Sequence, residues 1–156
     1  MITHKLCVPF AQLSSLQVYQ LLRLRSEVFV VEQNCIYQDI DNKDIHPHCY
    51  HLLWYKDEAL LAYARLLPAG LSYDDASLGR VIVAPVARGL GMGKQIIQAS
   101  LEQIDLLWPD QDVTIGAQSH LSKLYQEFGF KELSSHYLED GIMHVDMHRA
   151  SSNSPL

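Results

Sequence analysis

The stretch Arg88-Gly89-Leu90-Gly91-Met92-Gly93-Lys94 is a glycine-rich turn between two regular elements. An apolar strand, Leu78 to Val83, precedes it and is closed by Pro85. The helix that follows is amphipathic, with one apolar face formed by Ile97, Leu101, Ile104 and Trp108. Backbone amides at the start of a helix are unpaired, the helix dipole is positive there, and glycines let a phosphate approach the main chain closely. The turn is therefore predicted to bind an anion.

The spacing of the glycines separates the cofactor classes that use such a turn. A Walker A loop needs a glycine five residues before the Gly93-Lys94 pair, where this chain has Arg88. A Rossmann fingerprint that begins at Gly89 requires a glycine where Lys94 stands, and no βαβ repeat surrounds it. A nucleotide-phosphate site is thus the weakest interpretation, while a turn that only caps the helix stays open.

The remaining pattern, Arg/Gln-x-x-Gly-x-Gly/Ala, is met by Arg88, Gly91 and Gly93. It resembles the pyrophosphate loop of the GCN5-related N-acetyltransferase (GNAT) superfamily. A strand end at 116–118 followed by a helix that finishes with Tyr125-x-x-x-Gly129-Phe130 resembles the second signature of that superfamily. Other segments are similar to its smaller ElaA-like subgroup, namely 25–33, 37–41, His51, 62–65 and 79–83. Together these resemblances cover most of the chain.

The order of predicted elements is β-α-β-β-β-α-β-α-β-β. Its boundaries are a strand at 4–10, a helix from the Ser14 cap to Glu32, a polar loop at 34–47, a hairpin of 49–55 and 60–67, a strand at 78–83, the helix after the glycine turn, a strand at 113–117, a helix at 119–128, and two strands around 139–141. This order predicts a single α/β domain over 1–149 with a mixed, mostly antiparallel sheet and helices on both faces. The resemblance adds a splayed central strand pair. Residues 150–156 are predicted to be a frayed polar tail.

The composition limits the partners. The chain has 156 residues, a formal net charge of −6 and no long apolar run. Duplex DNA and anionic membranes would need clustered Lys and Arg, so neither is an expected partner. The absence of a membrane span and of a long apolar stretch near His4 and Lys5 favours a cytoplasmic protein. The three cysteines, Cys7, Cys35 and Cys49, lack paired spacing and are predicted to be reduced.

The resemblance implies that the cofactor is acetyl-CoA and that the reaction is direct transfer of the acetyl group to an amine in a ternary complex. The strand Val81, Ile82 and Val83 would pair with the pantetheine arm. The phosphates would contact the loop residues Gly89, Leu90, Gly91, Met92, Gly93 and Lys94. Arg88 would either touch CoA or lie solvated at the loop edge, and Gln118 stands where many members have a cofactor-contacting asparagine.

Tyr125 stands where the superfamily commonly has its general acid, although a tyrosine packed in the core is the alternative. The general base stays open because the strand 113–117 contains no carboxylate. Glu32, His51 and His120 are candidates, and a water chain is another.

A second hypothesis concerns the amine acceptor, a small molecule or a peptide end. The aspartates Asp39, Asp41 and Asp44, with Glu32 nearby, are expected to line the amine side of the groove and attract a cation. The alternative is a solvated acidic loop. Glu32, Asp39, Asp41, His51 and Arg80 form the predicted substrate set.

Metal binding is not expected. The group His46, His48, Cys49 and His51 matches no standard zinc spacing, and the aspartates lack the glycine and glutamate of a calcium loop. A non-catalytic sensor of acyl-CoA remains the alternative function, since fold does not fix function. The sequence leaves the acceptor, the acyl length and the oligomeric state open, a homodimer included.

Overall fold

Eight strands and three α-helices follow one another in residues 1–152, the part of the chain that this computed structural model describes. The strands are β1 (His4–Pro9), β2 (Tyr50–Lys56), β3 (Ala59–Leu67), β4 (Ser77–Val83), β5 (Val113–Gln118), β6 (Lys131–Glu132), β7 (Tyr137–Glu139) and β8 (Ile142–Arg149). The helices are α1 (Ser15–Arg25), α2 (Met92–Leu107) and α3 (Ser122–Gln126). The predicted order is confirmed, apart from the two-residue β6, which carries no sequence signal of its own.

The strands form two antiparallel sheets that meet at one point. The first has the order β1-β2-β3-β4, and the second has β5-β8-β6 with β7 also paired to β8. The sheets join through a single parallel bridge between Ala76 and Val113, where the Thr114 amide donates to the Ala76 carbonyl at 2.9 Å. Beyond this bridge β4 and β5 diverge, which confirms the splayed central pair and opens a groove between them.

Both faces of the first sheet are buried, because successive side chains of a strand point to opposite faces. On β2, Leu52 and Trp54 belong to the larger core with α2, while Leu53 and Tyr55 belong to a second core with α1. Helices therefore cover both faces, as predicted.

The helix predicted from the Ser14 cap to Glu32 changes its geometry halfway. Ser14 and Gln17 form the predicted capping box, and α1 runs to Arg25. The chain then continues as a π-helical segment, Ser26–Glu32. Its C-terminal end brings Glu32 and Gln33 to the groove between the sheets.

The C-terminal part departs from the expected boundaries. The helix predicted at 119–128 is a short 3-10 turn, Ser119–Leu121, followed by α3, which ends at Gln126. Gly129, three residues further on, has φ +91°. Order continues past the predicted domain end at 149, since Ser151 is 7% exposed and its amide donates to Asp112 at 2.8 Å. Residues 153–156 of the predicted tail lie outside the described residues. Within residues 1–152, none of the helices has both the length and the apolarity that a membrane span requires.

Candidate active site

A groove of about 550 Å³ lies between the diverging strands β4 and β5. Its size falls within the range of small-molecule sites, roughly 300–1,000 Å³. Predicted site residues that line it are Glu32, Arg80, Val81, Ile82, Val83, Arg88, Gly93, Gln118, His120 and Tyr125. The loop residues Gly89, Leu90, Gly91, Met92 and Lys94 lie beyond its lining, at the end where α2 begins.

Strand β4 carries a bulge on the groove side. Tyr63 of β3 is opposite Ile82, and Arg65 is opposite Gly79. Arg80 and Val81, which lie between Gly79 and Ile82, therefore have no regular partner on β3. Arg80 has a positive φ of 52°, which is uncommon for a residue with a side chain. Bulges locally bend a strand and leave residues unpaired. The two bulged residues, Arg80 and Val81, both line the groove.

The glycine turn has the geometry expected of an anion site. Gly89 and Gly91 have φ +84° and +77°, and the space where their side chains would stand is empty to 4 Å. Gly91 is the N-cap of α2, so the first amides of this 16-residue helix have no partner within it. A side chain at Gly93 would only touch Val83 at 3.9 Å, which is compatible with the Gly/Ala alternation of the motif. The loop therefore leaves room for a phosphate against its amides.

Arg88 lies between this loop and the π-helical segment. Its Nη1 and Nη2 donate to the two Glu32 carboxylate oxygens at 2.9 and 2.7 Å, and its Nε donates to the Val83 carbonyl at 3.1 Å. Arg88 lowers the pKa of the Glu32 carboxyl through these hydrogen bonds. Gln118, at the end of β5, donates to the Gln33 side chain at 3.0 Å.

Tyr125 of α3 faces the groove from the core side. It is 6% exposed, and its ring meets Phe130 edge-on with centroids 5.6 Å apart. Burial raises the pKa of its hydroxyl to about 12, so the group keeps its proton at neutral pH. The hydroxyl makes no hydrogen bond within residues 1–152. A buried, protonated and unpaired hydroxyl at the groove wall is able to donate a proton to a reacting group.

The loop aspartates do not line the groove. They form an arginine–aspartate cluster with Arg25, Arg65 and Arg80, in which Asp39 and Asp44 are 7% and 5% exposed. Its hydrogen bonds are Arg25 to Asp39 (3.0 Å) and Asp44 (2.6 Å), Arg65 to Asp41 (2.8 and 3.0 Å) and Asp44 (3.0 Å), and Arg80 to Asp39 (2.8 Å). The expectation that Asp39, Asp41 and Asp44 attract a substrate cation is therefore wrong, as is the solvated-loop alternative, because arginines from three other elements neutralise them.

The arginines of this cluster favour the ionised form of Asp41 and Asp44. Burial by itself would raise the pKa values of Asp41 and Asp44, but the neighbouring arginines outweigh it and lower both. Arg80 also stacks over Tyr37, with 5.1 Å between its guanidinium carbon and the ring centre. Arg80 does line the groove, yet its charge is already paired with Asp39.

His51 is not placed to act as a base or to bind substrate. It is fully buried, away from the groove lining. Its Nε2 lies 3.0 Å from the Asp44 carbonyl and its Nδ1 lies 2.6 Å from the Tyr63 hydroxyl. A carbonyl only accepts, so Nε2 carries the proton and Nδ1 accepts from Tyr63. Burial lowers the pKa of His51, which keeps the ring neutral and its role structural.

One wall of the groove was missed by the sequence reasoning. Gly116 of β5 lies opposite Asp146 of β8, and the Tyr137 hydroxyl donates to Asp146 at 2.7 Å. A side chain at Gly116 would lie 3.0 Å from the Tyr73 hydroxyl and 3.3 Å from that of Tyr137. The groove lining next to this wall includes the β7–β8 turn and its neighbour, namely Glu139, Asp140 and His144. The only local signal was a glycine inside a strand, which often marks a close approach.

Within residues 1–152, one group of three side chains has metal-like spacing, and it lies outside the groove. Asp75, Asp112 and His148 present their ligand atoms within 4.8 Å of one another. His148 Nε2 is 3.0 Å from Asp112, and Thr114 donates to Asp75 at 2.8 Å. These contacts tie the start of β5 to the end of β8. Cys49 Sγ lies 3.7 Å from His51 Nε2, a nitrogen whose proton is directed at Asp44.

The splayed sheets, the bulged strand and the glycine turn at the start of α2 define an acyl-CoA-type transferase fold. The chain belongs to the GNAT acetyltransferase family, whose acetyltransferase (GNAT) domain matches residues 14–151. Among its relatives, protein ElaA of Escherichia coli is 46% identical over 139 residues, which are 89% of this chain and 91% of ElaA.

Solved structures agree with this assignment. An acyl-CoA N-acyltransferase from Pseudomonas aeruginosa superposes with a TM-score of 0.91 and 40% identity, over 96% of this chain and 100% of that one. The crystal structure of E. coli ElaA gives a TM-score of 0.89 with 44% identity, over 96% and 99% of the two chains. The resemblance to the ElaA-like subgroup is thereby confirmed.

Proposed function

We propose that this protein transfers an acetyl group from acetyl-CoA to the amine of a small molecule or peptide, by direct attack in a ternary complex. The observation that carries the proposal is a continuous groove that joins the glycine turn at the start of α2 to the unpaired hydroxyl of Tyr125. The 40% identical Pseudomonas structure, that of an acyl-CoA N-acyltransferase, supports the same class of reaction.

Two parts of the chain, the glycine turn and strand β4, fit two parts of CoA. The empty space at Gly89 and Gly91 and the free amides of α2 suit a pyrophosphate. Val81 to Val83 belong to β4, the edge strand of its sheet, and line the groove, which suits an extended pantetheine arm. When bound, acetyl-CoA supplies an activated thioester. As the amine nitrogen bonds to the acetyl carbon and the carbon–sulfur bond breaks, the Tyr125 hydroxyl would donate its proton to the departing sulfur. The amine would release its proton to solvent, from which Tyr125 would regain one.

We place the acceptor beside Glu139, Asp140 and His144, which line the same groove as Tyr125. Arg80 and Arg88 are paired with carboxylates, and Glu139 lies 4.0 Å from His144 Nε2, so the carboxylates of Glu139 and Asp140 supply the acidic charge on this side. Such a field favours a cationic amine. These groove charges give no reason to propose a nucleic acid or a membrane as a partner. The cytoplasmic location and the homodimer remain predictions.

Binding of CoA is the first test. A ligand that binds only the folded state stabilises it by about 2.7 kcal/mol at 100 times its Kd. Acetyl-CoA and free CoA are expected to raise the thermal midpoint, while ATP and NAD are not. A clear shift with ATP or NAD and none with CoA would overturn the proposal.

Turnover separates the enzyme from a non-catalytic acyl-CoA sensor. Thiol release from acetyl-CoA in the presence of an amine panel is expected for the enzyme. A sensor would bind acetyl-CoA and release no thiol with any amine. The unpaired hydroxyl of Tyr125 favours the enzyme, because a sensor has no use for a proton donor at that wall.

The acceptor assignment predicts a selective kinetic effect. The double variant E139Q/D140N is expected to raise the KM of a cationic acceptor about twofold to thirtyfold, because two exposed charges each contribute roughly 0.2–1 kcal/mol. The KM of acetyl-CoA should stay unchanged, and the effect should shrink at high salt. The matched control is D57N/E58Q, which removes the same charge from the β2–β3 turn. Equal acceptor KM values for the two double variants would contradict the assignment.

A further inference from the structure

Two groove side chains that the proposed cofactor would contact are held by consecutive residues of one segment. Arg88 is bound through both terminal nitrogens by Glu32, and Gln118 is bound by Gln33. Glu32 ends the π-helical segment Ser26–Glu32, and Gln33 caps it. Single π-helical turns are rare and occur frequently at functional sites. The end of this segment thus contacts both sides of the groove at once.

Arg88 binds the carboxylate of Glu32 in the geometry in which an arginine binds an anionic ligand. A guanidinium is a planar fork that binds carboxylate and phosphate in the same bidentate way. The Nε hydrogen bond to the Val83 carbonyl at 3.1 Å fixes this fork at the end of β4, beside the glycine turn. The two remaining nitrogens bind Glu32 at 2.9 and 2.7 Å. Arg88 therefore holds the carboxylate in the bidentate way in which a guanidinium also holds a phosphate.

The pair is also free to open. The side chains of Arg88 and Glu32 are 43% and 42% exposed, so water can replace either partner. Exposed ion pairs contribute little to stability, because water and salt screen their charges. By contrast, the arginine–aspartate cluster is buried and has no comparable freedom. Of the arginines that line the groove, Arg88 is therefore the one whose partner can exchange.

We propose that Glu32 is a stand-in for a CoA phosphate, and that CoA binding exchanges the Glu32 carboxylate on Arg88 for a phosphate oxygen. The inference rests on the proposed function, since it requires CoA to bind at the glycine turn. No covalent bond changes in the exchange. One ion pair breaks, one forms, and the Glu32 carboxylate is freed within the groove that also contains Tyr125. Glu32 is thus a competitor of the cofactor and lowers its affinity.

The test is the sign of a change in affinity. Glu32→Gln removes the competing charge, so the Kd of CoA, measured by calorimetry, is expected to fall by up to about fivefold. A residue that merely lined the groove or supported the fold would leave the Kd unchanged or raise it. Pantetheine, which lacks the phosphates, should bind wild type and E32Q equally. E102Q, with the same charge change on α2, should bind CoA like wild type.

A double-mutant cycle assigns the effect to Arg88. R88Q is expected to weaken CoA binding, and adding E32Q to R88Q should produce no further tightening. Three results would overturn the exchange. The first is that E32Q lowers the Kd of CoA as much in the R88Q background as in wild type. The second is that E32Q lowers the Kd of pantetheine, and the third is that E32Q leaves the Kd of CoA unchanged or raises it. If wild type binds no CoA, the proposed function fails together with the inference. If wild type binds CoA and E32Q binds no tighter, the exchange alone fails.

Discussion

Replacing Tyr125 with phenylalanine is expected to lower kcat by about 10²- to 10⁴-fold, the usual contribution of a positioned general acid. The variant keeps the edge-on contact with Phe130 and loses only the hydroxyl, which has no hydrogen-bond partner within residues 1–152. The Kd of acetyl-CoA and the thermal midpoint should therefore stay near their wild-type values. Thiol release in the presence of an amine acceptor measures the effect.

A matched control and the pH dependence sharpen this prediction. Tyr50 also makes an edge-on aromatic contact, with Trp108 at 6.0 Å, but lies outside the groove lining, so Y50F should leave kcat unchanged. The raised pKa of Tyr125, about 12, keeps the hydroxyl protonated across the working range. Ionisation of Tyr125 should cause no loss of activity on the alkaline side up to about pH 11. A kcat in Y125F within about threefold of wild type would remove Tyr125 from the chemistry.

Replacing Arg25 with methionine is expected to lower the free energy of unfolding by about 3–5 kcal/mol. Arg25 is fully buried and donates to Asp39 and Asp44 and to the Asp39 carbonyl, at 3.0, 2.6 and 2.6 Å. Methionine retains most of the volume but leaves two buried carboxylates without this partner. Urea unfolding measures the loss. The control is R23M on the same helix, where Arg23 is 68% exposed and pairs loosely with Glu27 at 3.8 Å; it should change stability by less than about 0.5 kcal/mol.

Acidic pH should reduce the difference in the free energy of unfolding between wild type and R25M. The arginines lower the pKa of Asp44 below its ordinary 3.8, so this pairing stabilises the fold above about pH 3.8 and is lost as the pH falls through the lowered value. In R25M much of that pairing is already absent. The two unfolding free energies should thus converge below pH 3.8. A loss that stays below about 1 kcal/mol at neutral pH would show that Arg65 and Arg80 suffice to hold the aspartates.

The two largest expected effects concern different parts of the molecule for a physical reason. Tyr125 is unpaired, and its removal changes a reaction step while leaving packing intact. Arg25 is fully paired, and its removal leaves charges in a medium where water cannot replace it. Arg88 falls between these cases, since its exposed partner Glu32 can be exchanged at little cost. The degree of burial of each partner separates a structural arginine from one that can bind a ligand.

Local patterns were sufficient for much of the fold and for the cofactor end of the groove. The Ser14 capping box, the β2–β3 hairpin and the glycine turn before α2 are each written within a few consecutive residues. Helix caps, strand alternation and positive φ at glycine depend on neighbours in sequence, so they can be read without the tertiary structure. β6 has two residues and depends on β8 for its pairing, which explains why no pattern revealed it.

The predicted substrate residues show where this reasoning stops. The three loop aspartates look like a solvated acidic run, but the arginines that bind them come from positions 14 to 41 residues away in sequence. His51 has the chemistry of a base, yet Tyr63 and the Asp44 carbonyl use both ring nitrogens. The burial of a side chain and the groups it pairs with depend on contacts between segments that are distant in sequence. Composition and local spacing do not reveal these contacts.

The sequence by itself determined the family, the order of the elements and the glycine turn at 88–94, because each of these follows from short-range spacing. Only the tertiary structure decided which charges are available. It buried Asp39 and Asp44 under Arg25, placed Asp146 beside Gly116, and set Glu32 on Arg88. The reason is that the energy of a charge depends on its solvation and its partners, and both are set only when distant elements pack together.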